Sequence, residues 1–163
     1  MSKDIESALR LLEDKEAALD ALLRFARGLD TRDAGLIASA FAPDCVADFS
    51  EVGGVLGFEF PPLVGREQIA AMATALPGMV TTHIVSNVRM NLEEDVGTME
   101  AYVEAYIEAE DKSDPERYVL LKNHYEMRVV REASNWTIQH LKHQNIWWQG
   151  DSTIVTSSLV VPD

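Results

Sequence analysis

The chain has 163 residues, 47% of them hydrophobic and 25% charged, with 14 Lys and Arg against 27 Asp and Glu for a formal net charge of −13. That length is expected to make one domain (residues 1–163, the last stretch from 150 a tail) with its own core, and the proportions exclude disordered and fibrous classes. The acidic surplus repels a phosphate backbone and an anionic lipid surface, so neither nucleic acid nor membrane is expected as a partner.

Cys45 is the only cysteine. No disulfide within the chain and no CxxC metal or redox motif can form. Met1-Ser2-Lys3-Asp4-Ile5-Glu6 lacks a basic region followed by an apolar run, and no stretch approaches 18 apolar residues. A cytoplasmic setting is the expectation.

Ile5, Leu9 and Leu12, then Leu19, Leu22, Leu23, Ala26 and Leu29, recur at helical spacing, and Gly28 fits the end of that helix. Asp30-Thr31-Arg32-Asp33 offers caps for a second helix, Asp33 to Phe41, stopped at Ala42-Pro43-Asp44. Cys45 to Phe49 reads as a short strand. Glu51 to Pro62, with three glycines and two prolines, reads as a loop carrying Phe58 and Phe60. Gly65 to about Ala75 reads as a third helix.

From Met79 the period changes to 2. Strands are predicted over Val80 to Leu92, Val96 to Glu110, Arg117 to Arg131 and Trp136 to Trp148. In the second of these, Met99, Ala101, Val103, Ala105, Ile107 and Ala109 share one face. Helices first and strands last give an α+β fold. The strands exceed the usual five or six residues. Long curved strands around helices would form a cone-shaped, mainly antiparallel roll with a pocket, closed by the N-terminal helices.

Asp30 follows the apolar stripe of the first helix, so it projects toward the core side or caps the next helix. His83 shares a strand face with Thr81, Val85, Asn87 and Arg89, and the opposite face, Val80, Ile84, Val88 and Met90, is more apolar. Alternation alone does not aim His83 inward. His124 sits with Lys122, Glu126 and Arg128 on a solvated or interface face. Asn123 is the polar residue on the apolar face of its strand, in the core or in a pocket. His140 and His143 point to opposite faces of a strand and cannot share a metal. No metal site and no cofactor are expected.

Three features together resemble the SnoaL-like group of the nuclear transport factor 2-like superfamily. They are Arg27-Gly28-Leu29-Asp30-Thr31-Arg32-Asp33 with Phe41-Ala42-Pro43-Asp44, Gly65-Arg66-Glu67-Gln68-Ile69, and Met79-Val80-Thr81-Thr82-His83-Ile84-Val85-Ser86-Asn87 before the strand meander. The resemblance implies a cystatin-like α+β barrel and a homo-oligomer, dimer or trimer. Its dehydratase- and dehydrochlorinase-type lyases use an Asp at the end of the helical segment and a His on the following long strand. Asp30 and His83 stand at those positions. Scytalone dehydratase carries tyrosines where this chain has Leu29 and Phe49, and its second histidine has no counterpart between Val96 and Glu110. Arg128 is a loose match to the arginine near the dehydrochlorinase leaving group.

The resemblance therefore implies a cofactor-independent lyase with His83 as base, oriented by Asp30. A small hydrophobic substrate would lie among Phe49, Phe58, Phe60, Met72, Met79, Asn123 and Tyr125. An isomerase or polyketide cyclase, and a non-catalytic binding or dimerisation module, are the alternatives.

Overall fold

The computed structural model describes residues 3–158 apart from 112, 113, 115 and 134. A 29-residue helix, α1 (Lys3–Thr31), opens the chain. Its buried stripe is Ala18, Ala21, Leu22, Phe25 and Ala26. Leu23 is exposed, as are Ile5, Leu9 and Leu12; residues 3–13 are exposed throughout, so this part of α1 lies outside the core. The helix runs past Gly28, which is not its end. Gly28 lies where α2 (Ala34–Ala40) crosses, and a Cβ there would stand 2.6 Å from Ile37 Cγ1. Arg32, at φ 56°, takes the left-handed turn between the two helices. Asp33 caps α2 by accepting the Leu36 N–H at 2.9 Å, which frees Asp30 from that role.

β1 runs over Phe41–Asp48, so the strand begins four residues before the predicted start at Cys45. The expected loop after it contains a helix, α3 (Ser50–Leu56). Gly53 lets the following chain lie directly against that helix, since a Cβ would meet Phe60 Cβ at 2.8 Å. Gly57, at φ 92°, ends α3. β2 (Leu63–Val64) and α4 (Arg66–Ala70) follow, with a 3-10 turn over Ala71–Thr74 completing the expected third helix.

The four long strands are β3 (Met79–Glu93), β4 (Val96–Ala109), β5 (Tyr118–Glu132) and β6 (Asn135–Gly150). The sheet order is β2-β1-β6-β5-β4-β3. β1 pairs parallel with β6 and every other pairing is antiparallel. The sheet is open, with β2 and β3 at its edges, so it does not close into a barrel. The predicted inner face of β4 is the buried one, from Met99 to Ile107.

β3 carries the feature that simple alternation misses. Ser86 pairs with Tyr102 and Arg89 with Glu100, leaving Asn87 and Val88 opposite Ala101 alone. Asn87 sits at φ 51°. This is a β-bulge, and it shifts the side-chain phase by one residue. Before it, Thr81, His83 and Val85 face inward; after it, Val88, Met90 and Leu92 do.

α1 lies against the inner face. Phe25 meets Phe41 edge-to-face at 5.0 Å. At the far end Asp14 accepts from Arg131 at 2.5 Å and from Trp136 Nε1 at 3.2 Å. The Arg131 guanidinium holds the Asp14 carboxyl below its ordinary value. α5 (Thr153–Thr156) belongs to the expected tail and buries Ile154 and Val155; residues 159–163 lie outside the described residues. Among the described residues no helix is long and apolar enough to cross a membrane.

Candidate active site

The last turn of α1 lies along the start of β3, and this crossing joins Asp30 to His83. Asp30 Oδ1 is 2.6 Å from His83 Nδ1, Oδ2 accepts the His83 backbone N–H at 2.9 Å, and the Thr81 hydroxyl donates to Oδ1 at 3.1 Å. A carboxylate can only accept. The proton between Asp30 and the ring therefore sits on Nδ1, which in the neutral tautomer leaves the Nε2 lone pair on the side away from Asp30. His83 is 11% exposed and lines a pocket; Asp30 stands behind it, outside the lining.

That pocket is a cavity of about 130 Å³ between the sheet and the helices. An apolar cavity of roughly 150 Å³ takes up benzene, so one small ring is the right scale. Phe49, Phe58, Phe60, Met72, Asn123 and Tyr125 all line it, as the sequence leads one to expect. Met79 does not. It is half-buried against the core, and its carbonyl accepts the Arg32 guanidinium, which places Arg32 in the pocket wall instead. Leu29 lines the pocket, and Val155 of α5 closes one side of it. Arg128 lies outside: it is exposed and donates to Gln139 at 2.9 Å. His124 is on the outer face, 3.1 Å from Gln144 and beside Tyr102.

Alternation puts His140 outward and His143 inward, on opposite faces as expected. Sequence reasoning gives His143 no site role, yet it lines the pocket. It is 4% exposed, with its ring 5.0 Å from Tyr125 and 5.6 Å from Phe49. Burial pulls it down from an ordinary value of 6.5 to about 4, so the ring is neutral at neutral pH. Its Nδ1 and the Asn123 Nδ2 are buried without a hydrogen-bond partner. The signal in the sequence is the run Leu141, His143, Asn145, with the buried Leu141 two positions earlier. Burial also raises the Tyr125 hydroxyl, keeping it protonated. Among the described residues no cluster of three or more His, Cys, Asp or Glu is placed to hold a metal ion.

Solved structures share this fold. A scytalone dehydratase candidate from Novosphingobium aromaticivorans DSM 12444 is 17% identical, with TM-score 0.69 over 88% of this chain and 91% of that one. A type 2 hexachlorocyclohexane dehydrochlorinase (LinA) is 19% identical, with TM-score 0.72 over 88% and 92%. A protein of unknown function with a cystatin-like fold from Nostoc punctiforme PCC 73102 is 18% identical, with TM-score 0.62 over 81% and 90%. No curated protein matches the chain. The SnoaL-like domain model matches residues 10–142, spanning Asp30, all of β3 and the first half of β6, and the chain belongs to the SnoaL-like domain family.

Proposed function

We propose that the protein is a lyase for small hydrophobic substrates that works without a cofactor, with His83 as general base and Asp30 as its orienting carboxylate. The supporting observation is the 2.6 Å contact between Asp30 Oδ1 and His83 Nδ1 beside an apolar cavity. His83 Nε2 takes a proton from the carbon next to the one bearing the leaving group. The C–H electron pair becomes the new C=C bond, and the leaving group departs with its own bonding pair. A departing hydroxide recovers the proton from the imidazolium and leaves as water. A base held in this way contributes about 10² to 10⁴-fold. Phe49, Phe58, Phe60, Met72 and Tyr125 hold the ring. Leu29 and Phe49 replace the tyrosines of scytalone dehydratase, which argues for a different leaving group or substrate.

The test is a screen of hydroxylated aromatic and polyketide-like compounds with product mass as readout, followed by His83→Ala. Loss of water or another small group, abolished in a folded His83→Ala protein, is expected. Full activity of that variant overturns the reading, and a product of unchanged mass assigns an isomerase or cyclase instead.

A further inference from the structure

The proposed chemistry uses His83. Elsewhere in the pocket lining two buried polar atoms have no hydrogen-bond partner. Asn123 is 1% exposed, and Asn145 Nδ2 donates to its Oδ1 at 3.0 Å. That contact orients the amide and leaves Nδ2 as a free donor. His143, on the neighbouring strand, is packed between the rings of Phe49 and Tyr125, and its Nδ1 has no partner. Tyr125 pairs with His143 and Asn123 with Asn145, so Asn123 and His143 are diagonal neighbours on the inner face. Such pairs lie about 7–8 Å apart at Cα, near enough for one bound oxygen to reach both side chains.

An unpartnered buried polar atom gives up its water without gaining a bond in return. Phenylalanine in place of His143 would fill the same space between two aromatic rings without that cost. A neutral imidazole offers one N–H and one lone pair, and the amide adds a second donor. This set suits a hydroxyl, which gives and accepts, or a carbonyl. It does not suit an ammonium group, which can accept nothing from Asn123.

The position is also informative. His83 is on β3 and His143 on β6, three strands away. Both rings line the same cavity, and the charge of His83 is felt at His143. Ala105, Leu121 and Asn123 line the floor between them. We propose that His143, with Asn123 beside it, binds a hydroxyl or carbonyl oxygen of the substrate, so that the pocket selects oxygen-bearing rings and holds them in the cavity that His83 also lines. This deepens the lyase reading and rests on it for the chemical step after binding. The oxygen site itself is tested without turnover.

Phenol and toluene are close in shape and differ in the hydroxyl. Their affinities are measured by NMR titration of the whole chain in wild type, His143→Phe, His143→Gln and the control Arg128→Ala. His143→Phe is expected to shift the phenol-to-toluene affinity ratio toward toluene by about tenfold, in line with one lost hydrogen bond. His143→Gln should recover part of it, and Arg128→Ala, at an exposed position outside the pocket, should leave the ratio within about twofold. In wild type the ring nitrogen resonances of His143 should move on adding phenol and not on adding toluene, a readout that needs no variant to fold. An unchanged ratio in His143→Phe, an equal shift in Arg128→Ala, still resonances, or wild type binding neither compound overturns the proposal. An active His83→Ala enzyme with the ratio shift intact in His143→Phe removes the lyase reading and leaves the oxygen site standing.

Discussion

Asp30 grips His83 at two points, the ring through Nδ1 at 2.6 Å and the backbone N–H at 2.9 Å. The carboxylate thereby fixes the strand position and the ring tautomer together. Asp30→Asn should keep the fold but lose the tautomer, because an amide N–H aimed at Nδ1 places the imidazole proton on Nε2. The expected result is a fall in kcat of about 10² to 10⁴-fold with KM changed far less. Steady-state kinetics beside a melting curve check this, and an unaltered kcat would show that Asp30 does not set the ring.

The bulge at Asn87 carries His83 into the pocket. Asn tolerates φ 51° better than most residues, and a β-branched residue there is strained. Asn87→Val should cost about 1–2 kcal/mol of stability, while Asn87→Gly should be close to neutral. Urea unfolding of the three proteins measures this. Equal losses for Val and Gly would mean that the Asn87 side chain, not its backbone, matters.

The same bulge explains what the sequence does and does not reveal. The alternation of β4 is unbroken, so its buried face can be read directly from Met99 to Ile107. In β3 a strict period of 2 groups His83 with Asn87 and Arg89 and leaves its direction open. One extra residue resolves it, but Asn-Val inside a strand gives no turn signal. Met79 falls outside the pocket because it begins β3 just past the pocket edge, where Arg32 takes its carbonyl. α3 reads as a loop in the sequence because Gly53 and Gly54 suggest one. The contact between Gly53 and Phe60 is tertiary information that composition does not carry. His143 shows no ligand or dyad spacing in the sequence, although its alternation with Leu141 already points it inward.

Gly28 tests the packing behind the dyad. Alanine there gains about 1 kcal/mol in helix propensity. Its Cβ, however, would stand 2.6 Å from Ile37 Cγ1 and 2.9 Å from the Ile37 backbone nitrogen. Backbone cannot swing away as a side-chain tip can, so overpacking, typically 1–3 kcal/mol, should win. Gly28→Ala is expected to be less stable by about 1–2 kcal/mol, and to lose activity because α1 and α2 must separate two residues from Asp30. A more stable variant would show that the helices adjust freely.

His143 should leave a mark on stability against pH. Its folded value is about 4 against an ordinary 6.5. Between those values the unfolded chain binds a proton that the folded chain does not. Stability therefore rises with pH across this window and falls as the solution is acidified from 6.5 to 4. At 1.36 kcal/mol for each pH unit, the loss is on the order of 3 kcal/mol. Asp14 and Asp48, whose carboxyls are held low by Arg131 and by Ser50, also lose their contribution on acidification, but at lower pH. The non-titrating variant His143→Gln retains those two and lacks the imidazole. Its urea-unfolding stability should vary less with pH than wild type between 7 and 4, the two curves converging toward acid. Parallel curves would mean that His143 accepts a proton in the folded protein as easily as in the unfolded chain, and that its end of the pocket admits water.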